Sequence, residues 1–238
     1  MKRIPLLLSF LAAAAIAAEP PAVKDYGSFR RMQHRQDYAP KVALKDAVAG
    51  PGWYAVGALA DLRGEITVLD GQVLLSFGKS MDGKVGQREA GDAQATLLAT
   101  AKVQDWQAIA IPRAMTQAGL HAFILEQAAA AGLSADRPWP FLIRGDIVDY
   151  RWHVIAEPHP EFGGHGSKAP MARQFETAGA RMTAEVVGFH SGEALEGIIS
   201  HPGERFHEHV TDPARTLTGH LDAYGVAAGA VLLLPRSR

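Results

Sequence analysis

Phe206-His207-Glu208-His209-Val210, followed a short way on by Gly219-His220-Leu221-Asp222, is the stretch from which the rest of the chain can be read. In an extended strand, side chains two apart share a face, so His207 and His209 present two imidazoles side by side while Glu208 points the other way. Asp212, Pro213 and Gly219 are turn formers, and a hairpin there brings His220 on the returning strand opposite the pair. Three neutral imidazoles with an open fourth position form a catalytic zinc arrangement rather than a closed structural one. Chance placement of three among ten histidines on a surface strand is the alternative, and it leaves the joint fit of spacing, turn and third His unexplained.

The 238 residues suffice for one large domain or two small lobes sharing a core, and 47% hydrophobic with 21% charged residues is an ordinary globular composition. A formal net charge of -1 with scattered basic residues gives no footprint for nucleic acid. Lys2 and Arg3 precede the apolar run Leu6 to Ile16, and Ala15 and Ala17 form a small-residue cleavage site; residues 1–17 read as a secretory signal peptide. Cleavage after Ala17 leaves no membrane anchor, because no other long apolar run follows. With no cysteine there is neither a disulfide, a lipid-anchoring thiol nor a thiolate metal ligand, so stability rests on the core and the metal. The expected location is periplasmic or secreted.

Upstream of the histidines the pattern is mostly β. Residues 53–59, 65–69 and 73–77 read as three short strands, the last two joined by the two-residue hairpin turn Asp70-Gly71. Residues 78–91 read as a glycine-rich loop and 96–111 as carrying a further strand. Thr116 to Ala131 is the one confident helix, with Met115, Ala118, Ala122, Leu125 and Ala129 on its apolar stripe and Gly132 placed to end it. Pro138 and Pro140 mark a boundary between an N-terminal lobe, residues 18–140, and a C-terminal metal-binding lobe, residues 141–238. The second lobe holds strands at 141–151, 183–189, 197–200, the histidine hairpin and 230–234. The fold class is α+β: two sheet-rich lobes with few helices.

Gly197-Ile198-Ile199, Gly203, His207-Glu208-His209 and, ten residues later, Gly219-His220-Leu221 together resemble the metal-binding hairpin of the acetolactate decarboxylase family. Residues 57–59, Leu62-Arg63-Gly64-Glu65 with Asp70-Gly71, Phe141-Leu142-Ile143-Arg144-Gly145, and Val186-Val187-Gly188-Phe189 agree with it, over one unit of approximately residues 26–238. The resemblance implies a pair of mixed β-sheet lobes with the metal in the cleft between them, a homodimer, Zn2+ on His207, His209 and His220, and a functional glutamate at Glu65. Three departures stand out. The family's essential arginine falls on His153, with Arg151 two residues earlier on the same strand face; Arg63 replaces an acidic residue; and the family's tail glutamate beyond Leu234-Pro235 has no counterpart before Arg238.

The chemistry implied is decarboxylation of 2-acetolactate, or a closely related hydroxy-keto acid, to acetoin and carbon dioxide by a carbon–carbon lyase. A zinc ion acts as Lewis acid on the developing enediolate. Glu65 is the proton donor if the cleft raises its pKa, Arg151 or Arg63 the carboxylate clamp, and His153 an additional acid or base. Glu208 reads as structural or supporting, and His159, His165, His190 and His201 as loop residues. Two other outcomes compete: the same cleft acting on another small acid, and an exported binding protein that keeps the metal without the reaction.

Overall fold

The computed structural model describes residues 20–80, 82–86 and 92–236. The signal peptide read over residues 1–17 lies outside them.

The first sheet takes its strands from the start of the chain: β1 (Val23–Tyr26), β2 (Val42–Ala43), β3 (Trp53–Leu59), β4 (Glu65–Leu69), β5 (Gln72–Ser76) and β6 (Gln94–Lys102). They lie in the order β1-β6-β3-β4-β5, with β2 also on β6. Asp70 and Gly71, at φ 52° and 79°, make the predicted tight turn between β4 and β5. The left-handed φ suits glycine, and a Cβ on Gly71 would also lie 2.1 Å from the Gly50 carbonyl oxygen.

The second sheet holds β7 (Trp106–Ala110), β8 (Trp139–Pro158), β9 (Ala172–His190), β10 (Phe206–Thr211), β11 (Thr218–Val226) and β12 (Val231–Pro235), in the order β11-β10-β9-β8-β12-β7. Because β11 pairs with β8 as well as β10, strands β8 to β11 close on themselves. All described strand pairings are antiparallel, where the family resemblance implies mixed sheets. Among the described residues there are three α-helices, α1 (Phe29–Arg35), α2 (Leu44–Ala47) and α3 (Gln117–Ala130); none is long and apolar enough to cross a membrane.

Several elements differ from the sequence reading for identifiable reasons. The single strand expected within 96–111 is two strands, β6 and β7, one in each sheet, so the chain changes sheet at residues 103–105, ahead of the Pro138–Pro140 boundary. Strand β9 starts at Ala172 rather than 183; its first half, Ala-Arg-Gln-Phe-Glu-Thr, is polar and half exposed, and pairs along the outer half of β8. Residues 192–199 form turns instead of a strand. On α3 the buried stripe is Leu120, Ile124 and Ala128, while Ala118, Ala122 and Ala129 are exposed: the branched side chains, which gain more by burial, set the rotation of the helix.

Burial on both faces makes β3 and β4 nearly continuous apolar runs. Ala55, Ile66 and Val68 pack to one side, whereas Tyr54, Val56 and Leu69 meet Leu142, Val187, Phe189 and Ile199 of the second sheet. That shared apolar layer holds the sheets face to face. The second core, around Trp139, Phe141 and Ile143, also takes in His190, which stacks on Trp139 with ring centroids 4.6 Å apart. His190 Nδ1 accepts from the Gly192 N–H at 3.2 Å, and its buried Nε2 has no hydrogen-bond partner among the described residues. Burial pushes its pKa down to about 4. The folded state therefore prefers a neutral ring, and the stability this gives is complete above pH 6.5 and is lost as pH falls towards 4, by about 3 kcal/mol. His190→Asn keeps an acceptor for Gly192 and cannot titrate. Urea unfolding followed by tryptophan fluorescence is expected to show a correspondingly shallower loss of stability from pH 6.5 to 4; parallel curves for the two proteins would contradict the account.

Candidate metal centre

Strand parity assembles the centre. On β10, His207 and His209 face the first sheet, while Phe206 and Val210 enter the core behind. His209 lies directly across from His220 of β11, as the hairpin reading requires. The three buried imidazoles offer nitrogens that all lie within 4.8 Å of one another. Gly219 lets β11 approach β8 closely: a Cβ there would lie 2.6 Å from the His153 carbonyl oxygen and would push His220 out of line.

The donor set suits a first-row divalent ion. His207 Nδ1–H donates to the Ile199 carbonyl at 2.7 Å, which leaves Nε2 bare and aimed inward. His209 Nε2 faces it at 3.2 Å, close to the separation of about 3.3 Å that two nitrogens take on one tetrahedral ion. Against a bare Nε2, the His209 nitrogen can only give up a proton or share a cation. Burial, aided by mutual repulsion among the ring charges, pushes the His207 pKa down to about 3 and those of His209 and His220 well below the ordinary histidine value. Lone pairs rather than protons are therefore favoured at the centre. Zinc is one of several ions such nitrogens hold.

The first sheet supplies the opposite wall. Glu65 and Thr67, two apart on β4, share the inward face. Thr67 Oγ1 lies 2.9 Å from His209 Nδ1 and accepts from the Thr218 hydroxyl at 2.7 Å, fixing the ring from behind. The buried Glu65 carboxylate stands across the gap, Oε2 3.8 Å from His209 Nε2 and Oε1 accepting from the Ile155 N–H at 3.2 Å. Burial raises its pKa to about 7 against the opposing pull of His153 and the Ile155 hydrogen bond. Between these walls lies a cavity of about 220 Å³, closed on its apolar side by Phe29, Met32, Leu97 and Met171.

His153 of β8 pairs with His220 and lines the same cavity. Its Nδ1 is 2.8 Å from Asp222 Oδ1, and its Nε2 is 4.0 Å from Glu65 Oε1. Burial disfavours a charged ring here, but the Asp222 hydrogen bond and the charges of Glu65 and Asp222 outweigh it and raise the His153 pKa. Arg151 stands elsewhere. It is exposed and lines an adjoining cavity of about 650 Å³, reached past His201 and His220. Arg63 is exposed and paired with Asp61 at 2.8 Å, away from the centre. The structure thus brings Glu65, His153, His207, His209 and His220 together, and leaves both arginines outside their cavity.

A model of the family described as alpha-acetolactate decarboxylase matches residues 41–235. The chain belongs to the alpha-acetolactate decarboxylase family. Among solved structures, the alpha-acetolactate decarboxylase of Bacillus subtilis strain 168 superposes with a TM-score of 0.71 at 15% identity, covering 90% of this chain and 85% of that one. A Staphylococcus aureus protein of unknown function similar to alpha-acetolactate decarboxylase gives 0.69 at 16%, covering 89% and 84%. At such identities these likenesses speak for the acetolactate decarboxylase fold alone. A search of curated protein sequences gives no significant match.

Two residues near the centre escape a sequence reading. His201 lines both cavities, with its ring 4.2 Å from that of Phe29 and 5.7 Å from that of His220, and burial lowers its pKa. It sits in a turn whose packing no local pattern announces. Asp222 is the other. The opposite face of β10 carries a separate polar cluster, in which Glu208 accepts from the Tyr224 hydroxyl and lies 3.0 Å from His121 Nε2. His165 stacks on His34 and His159 is half-buried, as loop residues.

Proposed function

We propose that this member of the acetolactate decarboxylase family is an exported, zinc-dependent carboxy-lyase that converts 2-acetolactate, or a closely related hydroxy-keto acid, to acetoin and carbon dioxide, working as a homodimer. The observation that carries this reading is geometric: the buried Glu65 carboxyl stands 3.8 Å from one imidazole of a three-histidine centre.

His207, His209 and His220 would hold the ion, which would supply Lewis acidity for the negative charge that develops on the substrate. The chain's residues do the rest. Phe29, Met32, Leu97 and Met171 keep water from the apolar side, so that charge is met by fixed dipoles. As the bond to the carboxylate carbon breaks, its electron pair stays on the neighbouring carbon and carbonyl as an enediolate. Glu65 gives its proton to that carbon, producing acetoin, and recovers one from water. Burial, which favours the protonated form of Glu65, suits it to hold the proton that it donates.

One observation favours the second reading, a cleft turned to another small acid: among the described residues lining the cavity none is Lys or Arg. Purified protein incubated with 2-acetolactate is expected to form acetoin well above the spontaneous rate, to lose that activity to a chelator and to regain it with zinc. Acetoin at the spontaneous rate in all three samples would remove the proposal. A rate that rises on His153→Arg would favour the second reading.

A further inference from the structure

The cavity has to hold a carboxylate, yet its described walls offer no Lys or Arg, and Arg151 lies in the neighbouring cavity. The side chain opposite Glu65 is His153, and an irregularity in the facing strand gives that ring a partner. Pairing between β11 and β8 runs His220 with His153 and Leu221 with Trp152, then skips to Ala223 with Arg151. Asp222 is the extra residue, a one-residue bulge that opposes nothing on β8. Two positions on, the account is balanced from the other strand: Gly225 pairs with Val148, leaving Asp149 and Tyr150 without partners on β11. Asp149 takes a left-handed φ of 48° there, a conformation uncommon outside glycine. The excursion leaves the register on either side unchanged. Asp222 Oδ1 emerges from it 2.8 Å from His153 Nδ1.

Resting on the decarboxylase reading, we propose that His153 is the carboxylate anchor of this site and Asp222 its positioning residue. A ring that donates from Nδ1 to Asp222 presents Nε2 to the cavity. Held between Asp222 and a bound carboxylate, it carries a proton on each nitrogen and donates from both, a linear clamp in place of a guanidinium fork. The ligands selected are small monocarboxylates with oxygens on the two adjacent carbons.

The test is binding, measured by calorimetry on zinc-loaded protein. The probes are 2,3-dihydroxy-2-methylbutanoate, which is 2-acetolactate with its ketone reduced, and its uncharged counterpart 2,3-butanediol. Asp222→Ala is expected to weaken the carboxylate at least tenfold and the diol less than twofold, with zinc content unchanged. Asp222→Asn keeps an acceptor oxygen without the charge and should fall between. It carries the comparison if the alanine variant does not fold. His153→Ala should give the larger loss, and adding Asp222→Ala to it should change the affinity less than twofold, because the hydrogen bond that Asp222 makes at this site is to that ring. Multiplicative losses in the double variant, equal losses for both probes, loss of zinc in Asp222→Ala, or no carboxylate binding by the wild type would each overturn the proposal. If these binding results hold but 2-acetolactate is not turned over, the anchor stands and the decarboxylase reading falls. Turnover with carboxylate affinity indifferent to Asp222 gives the reverse.

Discussion

His207→Ala is expected to abolish activity and to lower thermal stability in the same step. The buried imidazole contributes one of three nitrogens, and its own orientation is fixed by the Ile199 carbonyl. A protein that binds metal only when folded gains stability as the logarithm of metal concentration over Kd, about 4 kcal/mol at a thousandfold excess. For a chain of this length, losing that amount moves the melting temperature by roughly 8–16 °C. Three samples belong in one melting experiment: zinc-loaded wild type, chelated wild type and the variant. The latter two should melt well below the first, and metal analysis should find little zinc in the variant. His220→Ala should behave alike, since His220 sits opposite His209 across the hairpin. A single melting temperature for all of them would mean that the three rings do not share an ion.

Glu65→Gln should separate chemistry from stability. Gln retains an oxygen for the Ile155 N–H but has no proton to give to carbon, so kcat should fall by about 10²–10⁴ with zinc still bound. Stability should move the other way in the metal-free protein. The Glu65 pKa is raised on folding, to about 7. Between the unfolded value near 4.5 and 7 the folded state therefore holds the proton more tightly, and stability falls as pH rises through that window. The cost above pH 7 is at most about 3 kcal/mol, and Gln does not incur it. Urea unfolding of chelated protein at pH 8 should show the variant more stable than the wild type, with the gap closing towards pH 4.5. A variant that keeps its kcat, or one less stable at pH 8 than at pH 4.5 relative to wild type, would contradict the role given to this carboxyl.

The parts of the site that follow from strand parity were legible in the sequence. His207, His209 and the turn to His220 need only a period of two and a hairpin, whereas Glu65 is implied only by the family resemblance, since a glutamate directly after a turn reads equally well as a surface residue. What parity cannot supply is the pairing between distant strands. Arg151 and His153 share a face of β8 by count, yet only His153 lines the cavity with Glu65, and Arg151, two residues along the strand, lines the adjoining one. Asp222 is opaque for the same reason. The outer half of β9 carries no apolar alternation because water covers much of it, and the change of sheet at 103–105 leaves no composition signal. His201 depends on α1 packing beneath its turn through Phe29, a contact between residues far apart in the chain.

The paired irregularities between β8 and β11 have a consequence for how such a pocket can change over generations. Because the second slip cancels the first within four residues, the segment that aims Asp222 can be lengthened, shortened or straightened without disturbing where His220 sits. His153 itself stays on the rung it shares with His220, so only the residue that holds the ring from behind is free to vary. A lineage can exchange that residue while its three imidazoles stay where they are.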